Sequence, residues 1–243
     1  MARRIPRTAQ ILADLRCPPP NKVIDDLPGR LVTMCAASVP VTGAGIIVMS
    51  DAGPGAMLAS TDGAAQIMEE LQFTLGEGPC VDASTSGHPV LQPDLARTAS
   101  QRWPGFTAGA LAAGVRAIFA FPLQVGGIRV GVLDLYRDVT GDLHALELAE
   151  ALAFADAATS ILLQLQSETD GVTGDPGLVA MIEDRAEVHQ ATGMVSVQAG
   201  QGLAASLVLL RAHSYAAERP ILDVARAVIG RTLRFDPEDD HHE

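Results

Sequence analysis

The chain has 243 residues, 48% of them hydrophobic, which is enough apolar material for one large core or two ordinary ones. Its formal charge of -12 excludes a protein that coats nucleic acid by bulk electrostatics, because phosphate neutralisation requires clustered cations. Cys17, Cys35 and Cys80 are too few and too widely separated to suggest a disulfide framework or a zinc site. No run reaches the ~18 uncharged apolar residues of a membrane span. Asp14 and Arg16 break the basic start before it becomes a signal peptide, so the expected location is cytoplasmic, with no membrane partner.

Taken in order, residues 1–22 hold Pro6 and the run Pro18, Pro19, Pro20, which forbid a continuous helix and predict a flexible arm. Over 23–38 the spacing of Ile24, Leu27, Leu31, Met34 and Cys35 predicts a helix with one apolar face, Pro28 being tolerable in its first turn. Residues 44–50 and 56–61 read as strands around a DAGPG turn, and Asp62 is placed to cap a helix carrying Ile67, Met68 and Leu71. Glycines and prolines punctuate 75–95, predicting a loop-rich crossing with a helical turn near Cys80 and a short strand near Val90. A helix opening near Pro104 and closing at Gly114 follows. Residues 117–137, two apolar runs about the pair Gly126 and Gly127, predict an antiparallel hairpin in the middle of a sheet.

The segments GEGPC (76–80), GHPV (87–90), RWPGF (102–106) and FPLQVGGIRVGVLDLY (121–136) resemble, in that order, a GAF domain of bacterial sensory regulators, over 23–166 with the long helix that ends it. The resemblance implies an α+β fold, about six antiparallel strands flanked by helices, with a cavity on one face that takes a small-molecule effector or nothing. Cys80 and His88 are the candidate ligand contacts there, Cys80 also reading as a redox sensor or a structural residue. One GAF group reduces methionine sulfoxide through clustered cysteines; here Cys80 lacks an evident resolving partner, so no enzyme, catalytic residue, cofactor or metal is expected. His241 and His242 read as part of a solvated acidic tail, 236–243.

Residues 142–166 form the longest helical pattern, with Asp142 at the N-cap position and two apolar stripes: Leu148, Leu152, Ala155, Leu162 and Phe154, Ala158, Ile161, Leu165. A helix apolar most of the way round must bury a second face, and pairing with a second subunit is the expected answer, the alternative being a helix sandwiched within one chain. A linker of turn formers spans 167–177, and helices are predicted over 178–198, 203–217 and 220–233. This stretch carries only arginines as cations and holds an excess of them over acids between Arg185 and Phe235.

The segments VHQATGMVSVQ (188–198), LVLLRAHSYA (207–216) and ERPILDVARAVIGRTLRF (218–235) resemble an ANTAR domain, an all-α three-helix unit over 178–235, making the whole chain similar to actinobacterial GAF-ANTAR regulators. The resemblance implies RNA as partner: homodimeric units grip paired hairpins of nascent transcripts, so that a terminator does not form. The matching positions are Thr192, Gln198, Arg211, Tyr215 and Arg219. Arg211 has the alternative of pairing with Asp223 or Glu187, and Tyr215 that of closing the core edge. Departures from the pattern are Gly202, Ser206 and Gln201, and the absence of a basic residue across 196–198; a buried Ser206 would need a backbone partner. The alternative function is a dimerisation or partner-binding sensory module whose degenerate ANTAR unit does not bind RNA.

Overall fold

A computed structural model describes residues 6–17, 26–50, 53–61, 63–168 and 176–235. Five antiparallel strands, β1 (Gly43–Ser50), β2 (Gly53–Ser60), β3 (Val90–Gln92), β4 (Ala117–Val125) and β5 (Ile128–Arg137), form one sheet in the order β2-β1-β5-β4-β3, against the expectation of about six. The β4–β5 hairpin turns at Gly126, whose φ of 59° is the left-handed value that a two-residue turn needs. It lies mid-sheet, and β5 is buried from Val130 to Arg137, as a strand covered on both faces must be. Leu133 and Leu135 enter one core, Val132 and Tyr136 the other.

The first core lies under α2 (Leu27–Ser38) and α7 (Ala145–Glu168), with α1 (Arg7–Arg16) laid along α7. Helix α2 starts where the Asp26 carboxylate accepts the Gly29 N–H at 2.7 Å, with Pro28 in its first turn. The existence of α1 corrects the expected flexible arm. Pro6 stands at its N-cap and the other prolines lie beyond its C-cap, so they bound the helix without interrupting it. Ile11 and Leu15, one turn apart, are fully buried, and the Arg7 guanidinium pairs with Glu150 on α7. The second apolar face of α7 thus finds cover within the chain. Of its two stripes Phe154, Ala155, Ala158, Ile161 and Leu162 are buried, while Leu152 is 42% exposed. Asp142 does not cap the helix; the Glu147 carboxylate does so by accepting the His144 N–H at 2.9 Å.

The second core lies under α3 (Gly63–Leu75), α4 (Pro79–Ser86), α5 (Leu95–Thr98) and α6 (Pro104–Ala112), and is filled by Met68, Cys80, Trp103, Phe106, Ile118 and Val132. The expected cap Asp62 lies outside the described residues. Trp103 donates its indole N–H to Asp82 at 3.1 Å, and Arg102 both covers the ring and pairs with Asp82 at 2.6 Å.

Among the described residues three further helices follow: α8 (Pro176–Ala199), α9 (Leu203–Ala216) and α10 (Ile221–Ile229). Gly200, at φ 64°, breaks the first from the second, which bends away by 103°. The last helix ends at Ile229, short of the expected 233, where Gly230 and the left-handed Arg231 (φ 59°) turn the chain. Residues 236–243 and 169–175, which cover most of the expected linker, lie outside the described ones. Val188, Ala191, Val195, Leu207, Leu210, Val224 and Val228 form a third core, joined by Phe73 from α3, so the terminal unit sits against α3 and β2. No single described helix is long and apolar enough to cross a membrane.

Candidate ligand face and candidate nucleic-acid interface

The second core contains a buried polar network. Asp134, in the centre of β5 and fully buried, accepts from the Gln72 side-chain amide at 3.1 Å, and the Gln72 carbonyl oxygen accepts the Cys80 backbone N–H at 2.7 Å. The other carboxylate oxygen of Asp134 has no hydrogen-bond partner. Burial pushes the Asp134 carboxyl up from an ordinary 3.8 to about 7; the Gln72 bond opposes this and the nearby charge of Glu69, itself buried, adds to it. A buried carboxyl with one oxygen that lacks a donor is placed to accept a further hydrogen bond or to exchange a proton. Sequence reasoning missed this site, although a lone acid inside a strand read as covered on both faces is a signal of it.

Of the two ligand contacts expected on this face, Cys80 is fully buried and adjoins the network through its N–H. His88 is exposed beyond α4, its ring nitrogen 2.8 Å from the Ser86 carbonyl oxygen, and does not reach the interior. Its neighbour Gly87 ends α4 in the left-handed conformation, and the chain then enters β3. Among the described residues no three His, Cys, Asp or Glu side chains are arranged to hold a metal ion.

The five positions matched to RNA contact are not brought together. Thr192, expected on the binding face, is only 5% exposed, and its hydroxyl donates to the Val188 carbonyl at 2.7 Å. Arg211 is half-buried and donates to the Phe73 carbonyl of α3 at 3.1 Å. Glu187 pairs with Arg226 at 2.7 Å, and the Asp223 carbonyl accepts from Arg219. Tyr215 is 66% exposed, and with Arg219 it borders a groove of about 650 Å³ whose other wall is α3. Ser206, fully buried, finds the backbone partner it requires in the Gly202 carbonyl at 3.0 Å.

Gln198 belongs to a different surface. It lines an open groove of about 470 Å³ with Gln190, Gly193, Val197, Arg231 and Arg234, and accepts the Phe235 N–H at 3.0 Å. Positions 190, 193, 194, 197 and 198 share one face of α8, and Gly193 leaves that face flat. Arg231 and Arg234 were visible in the sequence as part of the arginine excess, but only the left-handed turn at Arg231 carries both onto α8.

A five-stranded antiparallel sheet of this order with helices on both faces, one of them enclosing a polar network, defines an α+β module. The GAF domain profile matches residues 26–162, more than half of the chain, and the chain belongs to the GAF domain family. The match ends within α7 and leaves the terminal helices outside it. Solved structures similar to the chain include a domain assigned to a two-component sensor histidine kinase of Sinorhizobium meliloti 1021, at 16% identity and a TM-score of 0.50, covering 62% of this chain and 98% of that one. The GAF domain of a phosphoenolpyruvate-protein phosphotransferase from Coxiella burnetii aligns at 12% identity and a TM-score of 0.50, covering 68% and 95%. The corresponding Acinetobacter domain aligns at 11% identity and a TM-score of 0.49, covering 68% and 96%. Among curated proteins none matches the chain.

Proposed function

We propose that this chain is a signal-responsive transcription antitermination regulator, in which the GAF module senses a ligand or partner and the three terminal helices, an ANTAR-like unit, bind paired RNA hairpins. The observation that carries this reading is the groove where Arg231 and Arg234 come up beside Gly193 and the apolar Met194 and Val197, with Gln190 and Gln198 at its edges, a guanidinium-bordered apolar surface on a chain whose net charge is -12. Guanidinium forks bind phosphates bidentately and stack on unpaired bases, while side-chain amides read exposed base edges. The protein acts by binding and not as an enzyme, takes no cofactor, and works in the cytoplasm where transcripts are made. Two copies pair through the outer side of α7, where Leu152 and Leu163 are exposed on one face, and so present two heads to two hairpins.

Purified protein should bind a two-hairpin RNA with affinity falling steeply as salt rises. The double variant Arg231→Ala, Arg234→Ala should lower the logarithmic salt slope by about 2. A double variant that keeps the wild-type slope refutes this assignment.

A second reading is a partner-binding sensory module whose terminal unit no longer grips RNA. It is favoured by the burial of Thr192 and by the bond that ties Arg211 to Phe73. Absence of RNA binding even at low salt selects it.

A further inference from the structure

The last turn of α3 carries three residues that face different parts of the molecule. Gln72 turns into the GAF interior, held between Asp134 and the Cys80 N–H. Phe73, the next residue, is 4% exposed, lies in the core of the terminal unit, and offers its carbonyl to Arg211. Gly76 ends the helix in the left-handed conformation, φ 68°, beneath the Arg211 guanidinium; a Cβ there would collide with Arg211 Nη1.

We propose that this turn is an intramolecular latch: Phe73 plugs the terminal core, Arg211 is seated over Gly76, and the latched unit is held in a form with lowered affinity for RNA. The inference rests on the RNA-binding reading above and adds its regulation. In the latched form Arg211 faces α3, and Tyr215 and Arg219 border a groove whose opposite wall includes Ile67, Glu70 and Thr74. A phosphate approaching Arg219 meets the carboxylate of Glu70 across that groove, which opposes it electrostatically. The face bearing Arg231 and Arg234 does not include α3, so the latched unit keeps only this part of its grip. Because Gln72 and Phe73 are consecutive on one helical turn, an effector that rearranges the Gln72–Asp134 pair also moves the plug, as packed helices shift between discrete positions.

Two full-length variants act on the GAF side and leave every arginine in place. Phe73→Ala removes the plug; Gly76→Ala keeps it, strains the left-handed turn that ends α3 and displaces the guanidinium seated over it. Hydrogen exchange reads the latch, titration with a two-hairpin RNA reads its consequence, and Trp103 emission reports an intact second core. Both variants are expected to exchange the α9 amides at least tenfold faster than wild type and to bind the RNA at least tenfold more tightly. Unchanged α9 exchange in both variants overturns the latch. Faster exchange with wild-type RNA affinity overturns its inhibitory role and leaves the RNA reading standing. If neither the wild type nor the released variants bind RNA, the RNA reading and the inhibition fall together, and the exchange data still separate that result from a failed latch. Where Phe73→Ala loses native Trp103 emission, Gly76→Ala decides.

Discussion

Asp134→Asn replaces the buried carboxyl of β5 by a neutral group of the same shape. Burial raises the Asp134 carboxyl to about 7 from 3.8, so between these two values the unfolded chain has released the proton and the folded chain keeps it. A group that holds more protons in the native state makes stability fall as pH rises, here from near pH 4 to near pH 7, with no further loss above. The whole displacement corresponds to roughly 4 kcal/mol at about 1.4 kcal/mol per tenfold, an upper bound because local relaxation and water entry reduce it. Between pH 5 and pH 8 the wild type should therefore lose roughly 1–3 kcal/mol that the asparagine variant does not lose. Asparagine can still accept from Gln72, and any cost of placing its amide nitrogen where no partner stands is independent of pH, so it cancels in the comparison. Urea melts at pH 5, 6, 7 and 8, followed through the single tryptophan Trp103, measure the gap. A gap that stays constant across this range, or that moves against the variant as pH rises, refutes the account of Asp134.

Three further outcomes test other parts of the fold. Arg137→Met removes a buried guanidinium that donates to the carbonyls of Pro40 and Asp142 and to the Glu147 carboxylate, and should cost roughly 3 kcal/mol in the same melts. Ile11→Ala, at a fully buried position of α1, should cost roughly 2–4 kcal/mol and speed hydrogen exchange in α1, whereas a free arm would show neither effect. A small thiol reagent should label native protein at the exposed Cys17 alone, since Cys35 is enclosed and burial pushes its thiol up to about 12, and Cys80 is also enclosed; all three should react after denaturation.

The central hairpin was legible in the sequence because two physical signals agreed on it: apolar runs without clean alternation, and a glycine pair at the turn. The break at Gly200 and the burial of Ser206 against its backbone were likewise open to local reasoning. What could not be read was side-chain placement that depends on distant chain. Arg211 and Phe73 lie 138 residues apart, and nothing local to either predicts their bond. Asp134 and Gln72 meet across 62 residues in the same way. His88 lies at a locally defined place, just after the left-handed Gly87 and with its ring against the Ser86 carbonyl, and it is exposed there.

The long helix α7 illustrates how a correct pattern leads to an incomplete inference. Two apolar stripes do require two covers, but covering elements compete by effective concentration, and a segment of the same chain is always present at high local concentration. Helix α1 supplies such a segment, with Ile11 and Leu15 buried in the first core. The demand left for a second subunit is then the much smaller pair Leu152 and Leu163, which share one face of the helix. A dimer built on so narrow a seam should be concentration-dependent, and removing α1 should strengthen it by exposing the stripe that α1 now covers. Sedimentation of the full chain against a form lacking residues 1–17 measures this directly; dimerisation that is tight in the full chain and weakened by the deletion would show that α1 belongs to the subunit interface and not to the single-chain core.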